Sequence, residues 1–296
     1  MEITKTALFS IVGRPNVGKS TLLNALTGEK IAIVSSKPQT TRNRISGIVN
    51  RAGTQYIFMD TPGFHKPRTK LGDFMVEVVH ETVSDTDAAI LVVEPRAPGK
   101  QEQMLYREIT EQGLSCILVI NKIDTVDKRE ILGVISSYTA LGEYAAVVPI
   151  CARTGDGIDI LMDELEKFAQ EGPALYPEGM TSDQPERVIA AEYIREKLLR
   201  LLDREIPHGT AVEIEVFEEQ ENGTMEIGAV IYCEKASHKG IIIGKDGAML
   251  KKVGEQSRAD LERLLGTKGF LTLWVKVREG WRDNEYFMRN FGYEPS

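Results

Sequence analysis

The feature that most narrows the fold is the octet Gly-Arg-Pro-Asn-Val-Gly-Lys-Ser at residues 13–20, directly after the apolar run Leu8-Phe9-Ser10-Ile11-Val12. It matches G-x-x-x-x-G-K-[ST], with a strand ahead and a helix-forming stretch, Thr21 to Leu26, behind. Glycines at both ends let the loop wrap so that its backbone N–H groups point inward at a polyphosphate. Lys19 then brings a point charge to the β- and γ-phosphates, and the Ser20 hydroxyl can ligate Mg²⁺. Gly13, Arg14, Pro15, Asn16, Val17, Gly18 and Thr21 complete the expected phosphate-binding set. By itself the pattern says only that a nucleoside triphosphate binds.

The base is specified further along. A second apolar run, Cys116 to Ile120, is followed by Asn121-Lys122-Ile123-Asp124. An aspartate at the carboxyl end of a parallel strand sits where open α/β sheets bind ligands. Its carboxylate offers two acceptor oxygens, and guanine presents two adjacent donors, N1–H and the exocyclic amine. Adenine has no such pair on that edge, so this carboxylate selects guanine. The competing reading, that Asn121 and Asp124 only cap the next helix, loses ground once the phosphate loop is present.

A third segment joins phosphate to motion. Tyr56-Ile57-Phe58-Met59 reads as a strand ending in Asp60-Thr61-Pro62-Gly63. Asp60 can hold Mg²⁺ through water, and the Gly63 N–H can meet the γ-phosphate because glycine permits close backbone approach. Hydrolysis removes that contact and releases the loop. Three such elements in this order, each at a strand end, define a GTP-binding and GTP-hydrolysing domain. After Asp60-x-x-Gly63 many GTPases carry a glutamine that orients the attacking water; here the residue is Phe64, which has no hydrogen-bonding group.

The 296 residues suggest about two domains, and a 42% hydrophobic content supports packed cores. No stretch approaches the ~18 apolar residues of a membrane span. The start, Met1 to Lys5, lacks the order of a secretory signal. Three cysteines, Cys116, Cys151 and Cys233, are odd in number and without paired spacing; Cys116 and Cys233, in strand-like runs, read as buried thiols, and the compartment as a reducing cytoplasm. A helix pattern over 157–168 is followed by a Gly- and Pro-rich stretch without periodicity. This predicts a GTPase domain over 1–171, a linker over 172–182 and a second domain over 183–296. Up to the linker, alternating strands and helices call for a doubly wound sheet.

In the second domain Asp183 reads as the N-cap of a helix carrying Ala191, Ile194, Leu198 and Leu201 on one face, running until Pro207. Val212, Ile214 and Val216 alternate with acids, Gln220 to Gly223 signals a hairpin turn, and Met225 to Cys233 runs back. Ile242-Ile243-Gly244-Lys245-Asp246-Gly247 then precedes another helix and the strand Phe270 to Val277. The order helix-strand-strand-helix-GKDG-helix-strand resembles the type II, bacterial KH domain, an α+β fold whose G-x-x-G loop lets a nucleic-acid backbone approach closely.

Charge bears on that reading. The net charge is −8, and from residue 173 onward 17 basic residues face 22 acids. Between Lys235 and Lys252, however, Lys235, Lys239, Lys245, Lys251 and Lys252 face only Asp246. Screening limits reach to about 8–10 Å, so the local field decides phosphate attraction. Lys235, Lys239, Gly244, Lys245, Asp246, Gly247 and Lys251 form the expected RNA footprint. The acids cluster in the hairpin, Glu213 to Glu226, on a face expected to turn elsewhere.

From the phosphate loop to Trp274-Val275-Lys276-Val277-Arg278, the chain resembles the Era group of bacterial translation-associated GTPases. That resemblance implies a first switch at Lys37-Pro38-Gln39-Thr40-Thr41-Arg42 with a Mg²⁺-ligating threonine. Thr40 and Thr41 both qualify; Thr41 is preferred, though no physical argument excludes its neighbour. A catalytic group of Asn16, Lys19, Thr41 and Gly63 and a metal set of Ser20, Thr41 and Asp60 follow. A fifth, guanine-contacting segment falls at Cys151-Ala152, where the usual serine is a cysteine and a hydroxyl hydrogen bond is expected to go missing. In relatives without the glutamine, an asparagine at the place of Asn16 helps bind K⁺, so K⁺ joins GTP/GDP and Mg²⁺ among the expected cofactors. The alternative reading of Asn16 is a local side-chain bond that shapes the loop.

The resemblance further implies binding to the 3′ end of small-subunit ribosomal RNA, a role in small ribosomal subunit assembly, and a monomeric cytoplasmic protein. Peripheral inner-membrane association is a further expectation. Two rivals remain at this stage. A small-molecule kinase would lack the Asp60 and Asn121–Asp124 motifs. A membrane-associated signalling GTPase would need a basic amphipathic helix, which Gly240, Gly244 and Gly247 interrupt.

Overall fold

The computed structural model describes residues 2–63 and 69–293. Contacts divide the chain into two units. The first holds the residues up to Ala32, the stretch beginning at Thr41, and Met75–Asp183. The second holds Ile33–Thr40, a short piece ending at Phe74, and the chain from Gln184 onward.

In chain order the first unit contains β1 (Lys5–Val12), α1 (Lys19–Thr27), β2 (Ile45–Arg51), β3 (Thr54–Asp60) and the body of α2 (Lys70–Ser84). It continues with β4 (Ala88–Val93), α3 (Lys100–Glu111), β5 (Ser115–Ile120), α4 (Lys128–Thr139), β6 (Ala146–Pro149), α5 (Ile158–Glu166) and β7 (Gln170–Glu171). The sheet order is β2-β3-β1-β4-β5-β6, with β7 pairing β1. Apart from the antiparallel β2–β3 and β1–β7 pairs, the strands run parallel, the doubly wound arrangement expected. Central strands buried on both faces must be apolar throughout. Accordingly, all six residues of β4, Ala-Ala-Ile-Leu-Val-Val, are buried.

The segment 172–182, expected as a linker, runs without helix, turns at Glu178-Gly179 and is hydrogen-bonded to the first unit. The Gly172 N–H donates to Thr4 O at 3.0 Å, and the Leu175 and Tyr176 N–H groups donate to Gln55 Oε1 at 2.7 and 2.9 Å. The Ile48 N–H donates to Thr181 O at 2.9 Å. The division between units falls after Asp183.

The second unit contains α6 (Glu186–Leu201), β8 (Thr210–Glu219), β9 (Met225–Cys233), α7 (Ala236–Ile243), α8 (Ala248–Leu265), β10 (Gly269–Val277) and α9 (Glu285–Asn290). Its sheet order is β10-β9-β8, with β9 antiparallel to β8 and parallel to β10. Ile189, Leu198, Val253 and Leu261 from the helices pack with Ile214, Ala229, Ile231 and Val275 from the sheet. The opposite sheet face is covered at one end by the C-terminal segment, where Phe291 packs on Tyr232 (4.7 Å between centroids) and on the fully buried Trp281.

Two boundaries differ from expectation. α6 begins at Glu186 with Pro185 in the N-cap position, so Asp183 is not the cap. An Asp183 cap would put Gln184, the residue before Pro185, in helical geometry, which proline disfavours. The same helix ends at Leu201, short of Pro207, because Leu202 turns extended (ψ 152°) to bury its side chain.

Nothing in the sequence announced that Ile33–Thr40 would join the second unit. Ile33 is part of its core, and the Val34 N–H donates to Glu196 Oε1 at 2.9 Å. Arg195, 1% exposed, donates to Gln39 O and Thr40 O.

Candidate functional site

The phosphate loop joins β1 to α1. Gly18, at φ 102°, could not be another residue: a Cβ there would lie 2.3 Å from Asn121 Nδ2. Asn121 in turn donates from Nδ2 to Val17 O at 2.9 Å and accepts from Ala152 N–H at 3.0 Å. Its buried side chain thus ties the phosphate loop to both base-reading segments, a role the sequence reading did not assign. Lys19 is buried, with Nζ donating to the carbonyls of Gly13 (3.2 Å) and Arg14 (3.3 Å). Burial lowers its pKa, and the Asp60 charge partly offsets this.

Ser20, Thr41 and Asp60 converge. Ser20 Oγ donates to Asp60 Oδ2 at 2.7 Å and lies 2.9 Å from Thr41 Oγ1, which is 3.4 Å from the same carboxylate oxygen. Thr40, by contrast, donates its hydroxyl to Lys37 O at 2.6 Å. Thr41, not Thr40, is therefore the threonine brought to the carboxylate. Asp60 is fully buried, and its Oδ1 has no hydrogen-bond partner. Burial raises its pKa, against the Lys19 charge and the two hydroxyl bonds. An orphaned, buried carboxylate oxygen beside two hydroxyls fits Mg²⁺, which takes one or two carboxylates and leaves its remaining positions to water and phosphate. Gly63 lies against the loop, since a Cβ there would be 2.8 Å from Pro15 Cα; Thr61 donates to Ile11 O at 2.9 Å and Pro62 is buried. Phe64, expected among the nucleotide contacts, lies outside the described residues.

On the base side, Asp124 accepts from the Cys151 thiol at 3.2 Å and from Arg153 Nη2 at 2.7 Å. The hydrogen bond expected to be lost with serine is therefore present, donated by sulfur. The Cys151 bond, followed by the Arg153 charge and hydrogen bond, outweighs the opposing desolvation and holds the Asp124 carboxyl below its usual range. Lys122 reaches across to Asn16 O and to Glu94 Oε1, both at 2.6 Å. Asn16 itself sits at φ 66°, and Ile123 starts a short turn, Ile123–Thr125, that presents Asp124.

Three residues were missed. Arg153 occupies the Asp124 carboxylate, which the sequence pattern expects to meet guanine. Glu94 anchors Lys122 from just past the end of β4, a placement its position after a six-residue apolar run could have suggested. Glu102 receives the Gly99 N–H at 3.0 Å and pairs with Arg14 at 3.2 Å, a position marked by G-x-x-E at a helix start.

In the second unit, Gly244 (φ 75°), Asp246 (φ 53°) and Gly247 (φ 78°) form the turn between α7 and α8. A Cβ on Gly244 would lie 2.8 Å from Met249 Cβ. Lys235, Lys245, Asp246 and Lys251 are exposed, and Lys239 is half-buried. Beside the turn lies a groove of about 450 Å³, lined by Gly247, Leu250, Lys251, Gly254, Glu255 and Arg258 from the helix side and Leu271, Thr272 and Leu273 from β10. Its apolar floor suits unstacked bases, and Lys251 and Arg258, against the single acid Glu255, suit their phosphates.

A P-loop GTPase unit followed by a KH unit is thus the class that fold and site define. The family described as "50S ribosome-binding GTPase" matches residues 9–122, and the KH domain family matches residues 205–282. GTPase Era of Ruminiclostridium cellulolyticum is 50% identical over 291 residues, 98% of each chain, and GTPase Era of Trichlorobacter lovleyi is 49% identical over 292 residues, again 98% of each. The chain belongs to the GTPase Era family. Among solved structures, a variant of Aquifex aeolicus Era bound to GDP·AlF4⁻ superposes with a TM-score of 0.95 at 37% identity, covering 98% of this chain and 100% of that one. Era in complex with MgGDPNP and nucleotides 1506–1542 of 16S ribosomal RNA gives 0.95 at 36% identity, covering 99% and 100%.

Proposed function

We propose that this GTPase binds the 3′ end of small-subunit ribosomal RNA through its second unit and acts in small ribosomal subunit assembly as a monomeric, cytoplasmic switch. One observation carries the reading: a complete phosphate, metal and guanine site and a basic GKDG groove occur in one chain that aligns end to end with Era relatives. The Era structure holding a 16S fragment directs it to the small subunit, although the description matching residues 9–122 names the large one. Among the described residues no helix is long and apolar enough to cross a membrane.

The site's residues divide the work. Ser20, Thr41 and Asp60 would hold Mg²⁺, which would offset the negative charge developing on the phosphates. Lys19 exchanges its loop carbonyls for phosphate oxygens, and the Gly63 N–H would meet the γ-phosphate. Guanine displaces Arg153 from Asp124, while the Cys151 thiol keeps that carboxylate oriented. With no glutamine after Gly63, either backbone or another side chain positions the attacking water, or turnover waits on a partner.

The test is a filter-binding titration with a single-stranded RNA ending like the small-subunit 3′ terminus. Lys245→Asp makes the loop Gly-Asp-Asp-Gly, since residue 246 is already aspartate. We expect at least about a tenfold loss of RNA affinity, a flatter salt dependence and unchanged GTP affinity. Wild-type RNA binding by this variant at two salt concentrations would leave the GKDG segment as a turn only.

A further inference from the structure

One feature of the second unit is not absorbed by GTP hydrolysis or by the RNA groove. From Glu205 to Glu234 the chain carries eight acids and no lysine or arginine. That stretch forms β8, β9 and their hairpin, and Glu218, Glu219 and Glu221 are exposed. On the sheet face opposite the helices, β10 presents Phe270, 63% exposed, and Trp274, 46% exposed. Gly228 lies between β8 and β10: a Cβ there would be 3.1 Å from Val216 Cβ and 3.2 Å from the Trp274 ring, so valine and indole close over bare backbone. The C-terminal segment covers the Tyr232 end of this face and leaves the Phe270–Trp274 end open. Lys276, on the same face, is already paired with Glu215 at 3.0 Å.

Large aromatics exposed on a rigid sheet are the residue type that dominates binding energy at interfaces. Glu226 lies in register with Phe270 and Glu218 with Glu226, while Lys268 is exposed just before β10; the acids of β8 and β9 attract cations, and arginine also stacks on indole. The neighbouring residues of β10, Leu271 and Leu273, line the RNA groove on the helix side, so a partner on this face and bound RNA would share the edge strand β10 from opposite sides. We propose that the open face around Phe270 and Trp274 docks a lysine- and arginine-rich protein segment bearing an apolar anchor, adjacent to the RNA. This rests on the reading that the chain works on the small ribosomal subunit, whose RNA and basic protein segments would then be engaged side by side.

The test compares two probes against the intact chain: purified small ribosomal subunits and the 3′-terminal RNA oligonucleotide. Two variants are used, Phe270→Ser with Trp274→Ser, and Glu218→Lys with Glu219→Lys, the second altering exposed positions that leave the core untouched. Each is expected to weaken subunit binding about tenfold or more, while oligonucleotide affinity and GTP hydrolysis stay at wild-type values. Wild-type subunit binding by both variants overturns the proposal. So does a parallel loss of oligonucleotide affinity in the aromatic variant, which would assign the face to the RNA groove. Tighter binding by the charge-reversed variant would mean that the face meets RNA phosphate. If the wild type binds neither probe, the ribosomal reading itself fails and takes this one with it.

Discussion

At the residue scale, two carboxylates define the nucleotide site by opposite electrostatics. Asp60 is buried, and burial raises its pKa. Its ionised form therefore costs folding stability: that stability is present below the unfolded pKa and is lost as pH rises toward the higher folded value. Asp60→Asn should raise the melting temperature of the nucleotide-free protein near pH 7, by about 2–4 °C per kcal/mol relieved, and abolish stabilisation by Mg²⁺ with GDP. Calorimetry with and without ligand checks both; an unchanged Mg²⁺-GDP response would remove Asp60 from the metal site. Asp124 is the reverse case, held ionised by the Cys151 thiol, then by Arg153. Asp124→Asn should weaken GTP by about 3 kcal/mol or more, since two charge-assisted hydrogen bonds at about 1.5–3 kcal/mol each are at stake. It should also favour xanthine nucleotides, whose C2 oxygen accepts from the new amide. GTP affinity equal to wild type would mean the base is read elsewhere. Asp60 and Asp124 were legible in the sequence because each sits at the end of an apolar strand. Arg153 was not, because nothing in its local pattern says which carboxylate it will meet.

At the element scale, helix α6 does more than pack a core. Arg195 on it holds the Gln39 and Thr40 carbonyls, and Glu196 holds the Val34 amide. The next residue, Thr41, belongs to the first unit and bonds Ser20 within it. A mid-helix arginine buried at 1% reads in sequence as one more solvated charge, since the periodicity of α6 shows its apolar face but not what the polar residues meet. Arg195→Ala removes the donor from two carbonyls inside the second unit. Hydrogen exchange at Val34 and its neighbours should accelerate about tenfold, while β9 amides keep their protection. Exchange rates unaltered over 33–40 would mean that the segment is held by Ile33 and Glu196 alone.

At the scale of the whole molecule, the two units have separate cores, so heat should resolve two transitions. Trp281, fully buried, donates its indole N–H to Gly209 O at 3.0 Å and stacks within the C-terminal aromatic cluster. Trp281→Ala should cost the second unit about 3–5 kcal/mol. Differential scanning calorimetry should then show one transition lowered and the other still raised by Mg²⁺ with GDP. A single transition moving as a block would show that the units melt together.

Local rules alone determined the strand–loop–helix start, the guanine-reading aspartate, the acidic hairpin and the basic GKDG turn. Each depends on residues close in sequence and on periodicities of 2 or 3.6. Tertiary structure decided which threonine faces Asp60, that Asn121 braces the phosphate loop, that residues 172–182 are strapped to the first unit, and that Ile33–Thr40 belongs to the second. It also decided which half of the sheet's outer face the C-terminal aromatics cover. Those outcomes depend on contacts between residues tens to hundreds of positions apart, and no local propensity records which distant partner a side chain will find.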